Sequence, residues 1–474
     1  MKLLKDFRFY LLLLLAIVSI YLLNKTLIFS FPTNYYFIAG TILALILVIL
    51  GLLAFNKHKW IKIVGISLSI ILVAIFGYSA SVVDNVYNAL VKFEENAKQK
   101  SKLEYSLIIN GTYDEEETMP SLDDYKNAKF AVLELGNTSY NHEVVEMIRE
   151  ELGVKVQFES IKSIEDALAK MNNGEIDVLV INESIRYLID FDLKEYTTVI
   201  KTYEFESEKV VEASSAKVTE EAFLVYLTGI DTYGDLDYVS RSDVNKIMVV
   251  NPLSKDILLV DIPRDYYVPL TCYYDEYDKL THTGMYGPSC TVETVERYFD
   301  IDINYYARVN FSSIIEIIDA LGGIDVEVKE SFDVSEYHYE KGIMHMDGAM
   351  ALRFARERYS FEEGDQERIR NQSLVVEATI NKVLSPSILN NYADVLDVVS
   401  ANVETNMPTS DIMALIQMQL KDNAKWTIDT YTCVGEEDYA YSAMMGRDLY
   451  MRIPIEESVN KAKELIGEYL GRIY

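Results

Sequence analysis

Cysteine is scarce in this chain of 474 residues, which holds only Cys272, Cys290 and Cys433. Three cysteines exclude a disulfide-built scaffold, and none sits in a CxxC or metal-ligand spacing. One disulfide stays open, with Cys272–Cys290 favoured because the two flank one loop and Cys433 left over. The five histidines are scattered, which argues against a zinc centre. Positive charge is in the minority, with 44 Lys and Arg against 74 Asp and Glu and a formal net charge of −30. Such a chain repels nucleic acid. Also missing are a Walker loop, a nucleophile elbow, a Ser-His-Asp order, a kinase motif set, internal repeats and low-complexity tracts.

The basic residues that do occur are unevenly placed. The first hundred residues are net +6, so the remainder is −36. Within residues 1–84 lie three apolar stretches, Phe7–Phe31, Tyr35–Phe55 and Trp60–Val83, each about the 20 residues that cross a bilayer as a helix. No small-residue cleavage site follows the first stretch, which argues against a signal peptide. Lys2, Lys5 and Arg8 precede it and Lys57, Lys59 and Lys62 separate the second from the third, so the positive-inside rule puts both segments in the cytoplasm. Three crossings then leave everything after about residue 84 outside, in a multi-pass protein of the cell membrane.

Residues 85–124 read as a juxtamembrane stalk, helical from Asn85 to Lys102 and acidic over 114–118. Strand–helix alternation over 125–212 predicts a small α/β accessory domain, and 209–222 reads as a linker. A second α/β unit, with a mixed central sheet flanked by helices, occupies 220–474, its motif core at 223–385. Gly322–Gly323 ends one of its helices, Asp347 caps another, and Asp365 or Gln366 opens a long helix to about Leu384. The last ninety residues read as two helices, a strand at 426–434 and a terminal helix from Ile455.

The chemistry concentrates in that second unit. Asp231 follows one short strand and Asp243 opens the next, so both can lie at one sheet edge beside Arg241 and hold Mg²⁺ against a phosphate. Their plain alternatives are a turn cap and a strand-entry cap. Asp231, Asp235 and Asp237 mimic a calcium loop, but the EF-hand glycine and closing glutamate are missing. Arg264 stands past a strand's carboxyl end, where α/β proteins gather ligands, or simply pairs with Asp265 or Asp243. Arg356 and Arg358 can reach one ligand only if their helix has ended. Asp365, Arg368 and Gln372 share one helix face, with Asp365 either orienting Arg368 or capping the helix. Arg353 and Arg370 point elsewhere, and His282 is either structural or substrate-lining. An Mg²⁺ site with an arginine clamp matches phosphoryl transfer, which needs positioning and charge neutralisation more than a protein nucleophile.

These residues sit in TGIDTYG (228–234), SRSDVNKIMVVNP (240–252), VDIPRDYYV (260–268), KLTHTGMYG (279–287), IDALGGIDV (318–326), MDGAMALRFARERY (346–359) and GDQERIRNQ (364–372). In order and spacing they closely resemble the LytR-CpsA-Psr family of envelope proteins. Three amino-terminal spans and an accessory domain are similar to its CpsA-type members. The resemblance implies an enzyme that takes a glycopolymer, such as capsular polysaccharide or a teichoic-acid-like polymer, from a polyprenyl-pyrophosphate carrier. It joins that polymer to peptidoglycan through a phosphodiester, in a Gram-positive-type envelope. Asp231 and Asp243 would hold Mg²⁺, while Arg241, Arg264, Arg356, Arg358 and Arg368 would grip the pyrophosphate with Asp365 and Gln372 in support. The polyprenyl tail would lie in an apolar groove between sheet and helices. Two other roles share these residues: an idle lipid-pyrophosphate binder acting as an envelope regulator, and a pyrophosphatase releasing polyprenyl phosphate.

Overall fold

The computed structural model describes residues 6–471 except 30–32, 99–100, 113–118, 136–137, 189–192, 194–195, 208–212, 235, 237–238, 363 and 387–391. The acidic run 114–118, the first residues of the linker (209–212) and the calcium-loop mimics Asp235 and Asp237 lie outside the described residues. Helices α1 (Phe7–Lys25), α2 (Thr33–Ala54) and α3 (Lys59–Lys98) are long and apolar enough to cross a membrane. Ile20, Leu52, Ile71 and many like them point outward, as side chains that meet lipid do. With 40 residues, α3 is about 60 Å long, twice the hydrocarbon core of a bilayer. It is therefore longer than a single crossing needs.

The stalk expectation is corrected in part. Helix ends at Lys98 rather than Lys102, and Ser101–Asn110 forms strand β1. Its alternate residues Leu103, Tyr105, Leu107 and Ile109 face one buried cluster, while Ile108 faces the other. After β1 come β2 (Phe130–Leu133), α4 (Asn141–Leu152), β3 (Phe158–Ile161), α5 (Ile164–Asn172), β4 (Val178–Asn182), α6 (Glu183–Leu188) and β5 (Thr197–Ser207). The sheet runs β3-β2-β4-β1-β5, parallel over its first three strands and antiparallel where β1 meets β4 and β5. One face packs on α4. The other joins a buried cluster, through Ile181, Met171 and Met444 among others, that continues into the second unit.

That unit opens with β6 (Phe223–Ile230), β7 (Ser242–Asn251), β8 (Asp256–Asp261), β9 (Tyr267–Pro269), β10 (Tyr277–Lys279) and α7 (Pro288–Phe299). It continues with β11 (Tyr305–Val309), α8 (Phe311–Ala320), β12 (Ile324–Val328), β13 (Phe332–Val334), β14 (Tyr337–Tyr339), β15 (Gly342–Met346), α9 (Gly348–Arg356) and α10 (Asp365–Val383). It closes with α11 (Tyr392–Asn402), β16 (Glu404–Thr405), α12 (Thr409–Asp422), β17 (Thr427–Thr432), β18 (Gly435–Ser442), β19 (Arg447–Pro454) and α13 (Glu456–Tyr469). The mixed six-stranded sheet has order β16-β11-β6-β7-β8-β17. Leu224, Tyr226, Ile247 and Val249 face α7 and α13, while Leu227 and Met248 face the side of α8 and α10, so the central strands are apolar on both faces. Asp347 caps α9 by accepting from Met350 N at 2.8 Å, and Gly322 and Gly323 follow α8 at positive φ. The hairpin β18–β19 escapes the sequence because Glu436, Glu437, Tyr439 and Tyr441 leave β18 largely exposed and without an apolar stripe.

Outside the membrane-crossing part, α3 docks on this unit. Val86, Ala89, Leu90 and Phe93 pack with Leu396 and Met413, Lys92 pairs with Asp397, and Asn96 Nδ2 donates to Ser400 O at 2.7 Å.

Cys272 and Cys290 are disulfide-bonded, and Cys433 is free and buried. The bond closes a loop of sequence separation 18 that contains β10 and the 3₁₀ segment Leu280–Tyr286. Closing a loop of this length stabilises by about 3 kcal/mol. Replacing both cysteines with serine is expected to lower the melting temperature of the full-length protein in detergent by about 10 °C; an unchanged melt contradicts this.

Candidate functional site

The amino-terminal edge of β7 lies beside the carboxyl ends of β6 and β8, because β7 is antiparallel to both. Ile230 pairs with Ser242 and Gly229 with Val244, so Asp243 is the extra residue of a β-bulge. A bulge re-aims a side chain that regular pleating would turn elsewhere. It brings Asp243 toward Arg264, which stands three residues beyond the end of β8. Arg264 Nη1 donates to Asp243 Oδ2 at 2.6 Å, and Thr281 Oγ1 donates to Asp243 Oδ1 at 2.9 Å. Gly284, on the same 3₁₀ segment as Thr281, lies against the Ser240–Ser242 backbone. A Cβ there would fall 2.3 Å from Ser240 O and 2.5 Å from Ser242 N. Only glycine permits that approach.

Asp231 forms the neighbouring pair. Its carboxylate takes a salt bridge from Arg241 and a hydrogen bond from Ser240 Oγ at 3.1 Å. Beside it the hydroxyl of Thr232 is buried without a partner. From the opposite side comes the start of α10, where Arg368 pairs with Asp365. The Arg264 side chain is 18% exposed and that of Arg368 11%, yet the Nε of each lacks a hydrogen-bond partner. Burial disfavours the charge on Arg264, but Asp243, Asp265 and Asp365 outweigh it and raise its pKa. Arg368 is held less basic than usual, by burial first and by Arg264 second. Two guanidiniums that disfavour each other, each with an unsatisfied donor, form a site prepared for an anion.

The remaining residues are placed differently. α9 does end at Arg356, with Glu357 extended, so the condition for Arg356 and Arg358 to act together is met. The Arg356 guanidinium lies 4.2 Å over the Phe311 ring, with Nη1 3.5 Å from Tyr233 OH on the loop after Asp231. Arg358 stacks on and donates to Tyr359 instead. Neither is held by the acids. Gln372 lines an apolar cavity of 260 Å³ between the sheet and α8 and α10, with Met248, Ala307, Ile317 and Val376. Arg353 is exposed, and Arg370 pairs with Glu367 at 2.9 Å. His282 is buried against Asp278, its Nδ1 2.8 Å from Asp278 Oδ1, in a structural role.

Of three supports, the sequence reading named Asp265 only as an alternative partner for Arg264 and missed the other two. Asp265 receives Lys279 at 2.8 Å and lies 3.6 Å from Arg264 Nε. Thr281 looked like an ordinary loop residue. The third is the buried pair Lys246–Asp261, both side chains 1% exposed, with Ser373 Oγ donating to Asp261 Oδ2 at 2.6 Å and receiving Lys246 Nζ at 2.7 Å. A lysine mid-strand, facing an aspartate one strand away, is its one sequence signal, legible only once the β7–β8 register is known.

Asp231 and Asp243 each hold an arginine and a hydroxyl, Ser240 and Thr281 respectively, and the Thr232 hydroxyl is buried without a hydrogen bond; hard oxygens of this kind would suit Mg²⁺. Among the described residues no group of three or more His, Cys, Asp or Glu could hold a metal. Such an ion would therefore complete its shell with ligand phosphate oxygens and water, as Mg²⁺ commonly does.

The LytR_cpsA_psr family model matches residues 189–463. This chain belongs to the LytR_cpsA_psr family. It is 35% identical over 231 residues to the Enterococcus faecalis polyisoprenyl-teichoic acid–peptidoglycan teichoic acid transferase TagU, spanning 48% of this chain and 76% of that protein. The TagU of Bacillus cereus is 34% identical over 235 residues, with the same coverage. Among solved structures the chain is similar to B. subtilis TagV, at 28% identity and TM-score 0.46, covering 54% of this chain and 99% of that one.

Two measurements probe this LytR_cpsA_psr site. Asp261→Asn leaves the Lys246 ammonium buried beside a neutral partner and is expected to destabilise by about 3–5 kcal/mol, whereas Lys246→Met/Asp261→Leu together stay much closer to wild type. Equal losses in denaturant titrations would contradict it. Burial opposes the charge on Asp265, but Arg264, Lys279 and Arg368 hold its pKa below the usual value. Its stabilisation is therefore full above the unfolded carboxylate pKa of about 3.9 and is lost as pH falls through the lower folded value. Asp265→Asn should be less stable at pH 7 and lose less stability between pH 5 and 2.5; parallel wild-type and variant profiles would refute this.

Proposed function

We propose that this protein is a membrane-anchored phosphotransferase that moves a glycopolymer from a polyprenyl-pyrophosphate carrier onto peptidoglycan, with its site on the outer side of the membrane. One observation carries the reading: Arg264 and Arg368 are largely buried, each has an Nε that makes no hydrogen bond, and the helix bearing Arg368 leads one turn later into an apolar cavity. An anionic head joined to a long apolar tail satisfies both features. The TagU relatives, named for polyisoprenyl-linked teichoic acid and peptidoglycan, support it. The excess of Lys and Arg before α1 and between α2 and α3 supports the outward orientation.

On pyrophosphate binding, Arg264 and Arg368 would extend free donors to its oxygens while Asp243 and Asp365 keep the guanidiniums aimed. Arg241, Arg356 and Arg358 would close around the same charge, and Gln372 would mark the start of the tail. Asp231 and Asp243 would hold Mg²⁺, which when bound neutralises phosphate charge. The acceptor hydroxyl oxygen of peptidoglycan forms a bond to the phosphorus that carries the glycopolymer. The bridging P–O bond breaks, and polyprenyl phosphate leaves. The acceptor proton passes to a phosphate oxygen or to water, so no side-chain base is needed. Because the barrier falls by holding charge in place, the arginines matter more than any nucleophile.

The direct test incubates full-length protein and Mg²⁺ with lipid-linked glycopolymer, with and without peptidoglycan. Ligated product is expected only with acceptor. Arg264→Ala should lower the rate about 100-fold or more, and Arg353→Ala should leave it unchanged. Polyprenyl phosphate released equally without acceptor would establish a pyrophosphatase instead, and no turnover with intact carrier binding would leave a binding protein.

A further inference from the structure

The cavity beside Gln372 has an apolar neighbour. A pocket of 530 Å³ lies where α10, α11 and α12 meet α3, with Phe93, Leu384, Tyr392, Val399 and Ile416 in its wall. The two spaces follow one another along a single face of α10. Gln372, Val376 and Ile380 line the first, and Val383 and Leu384 line the second, in steps of three and four residues. α11 repeats the order in reverse, with Val403, just past its end, on the first space and Val399 and Val395 on the second.

The α3 contacts set the direction of this path. Lys92 meets Asp397, and Asn96 meets Ser400 one turn later, so α11 runs alongside α3 and away from the bilayer. The end of α10 and the start of α11 share one pocket, so α10 runs back toward the bilayer. Arg368 therefore lies at the distal end of α10, and Leu384 lies about 24 Å nearer the membrane. Phe93, on the pocket wall, is ten residues or about 15 Å past the apolar stretch that ends at Val83.

We propose that this pocket is the membrane-side exit for the isoprenoid tail of the lipid donor. The units nearest the pyrophosphate fill the cavity between sheet and helices. Later units pass Ile380 and Val399 into the pocket and reach the bilayer along the Phe93 side of α3. The third membrane helix is thus an anchor and also one wall of the lipid's path. The inference rests on the lipid-donor reading above. Its occupant follows from position: the pocket is apolar, lies one helical turn of α10 beyond the cavity that Gln372 lines, and has Phe93 of α3 in its wall.

The test uses full-length protein in lipid nanodiscs with two polyprenyl pyrophosphates, one carrying a diazirine on the unit next to the pyrophosphate and one on a mid-chain unit about 24 Å along the tail. The first is expected to label residues 372–380 and the second residues 383–386, 392–399 or 412–420. Mid-chain labelling confined to α1, α2 or bulk lipid overturns the exit, as does labelling of an unrelated lipid seated in the pocket. A head-proximal probe that misses 372–380 overturns the donor-site reading instead. Filling the pocket with Ile416→Trp should weaken binding of the long-tailed carrier about tenfold and leave a two-unit pyrophosphate unaffected. Equal effects on both carriers, or none on either, overturn the exit.

Discussion

The buried ion pair between Lys246 and Asp261 is the interaction on which the site depends. Isolated, either charge would be expensive to bury; together, with Ser373 and Thr432 supplying hydrogen bonds, they form a satisfied network. The network joins two sheet strands to the middle of α10 and to β17. It therefore sets how far along the sheet α10 lies. That placement decides whether Arg368, about a turn and a half before Ser373 on the same helix, faces Arg264 or passes it.

Around that anchor, the acids govern the arginines. In a chain of net charge −30, guanidiniums left free would find carboxylates at random. Here each main arginine has an assigned partner: Arg241 with Asp231, Arg264 with Asp243 and Arg368 with Asp365. The pairing keeps the arginines extended and charged, and it leaves the Nε of Arg264 and Arg368 unfilled. The Asp243 end is further held by Thr281, on a segment that the Cys272–Cys290 bond closes and that Gly284 lets pack on the entry to β7. Preorganisation of this kind lowers the reorganisation needed when a phosphate arrives.

The membrane enters the same design. α3 crosses the apolar region, continues beyond it and binds α11 by packing and by hydrogen bonds. The second α/β unit is therefore joined to the apolar helices by packed helix rather than by an unstructured stalk.

Much of this was legible from residue order alone. Composition and patterning are local, so the three apolar helices, both α/β units, the cap at Asp347 and the helix from Asp365 could be read directly. The motif residues Asp231, Arg241, Asp243, Arg264 and Arg368 could be singled out because their side-chain chemistry is intrinsic to them. Which carboxylate holds which arginine could not, since that depends on a bulge at Asp243 and on strands meeting across 20 residues or more. The same limit hid β1, whose partners are 70 to 100 residues away, and the Lys246–Asp261–Ser373 network. Residue order determined the chemical inventory and the local elements, because those follow from each side chain and its near neighbours. Tertiary structure alone decided the pairings, the donors left without hydrogen bonds and the two apolar pockets along α10, because each arises where distant segments bury surface against one another.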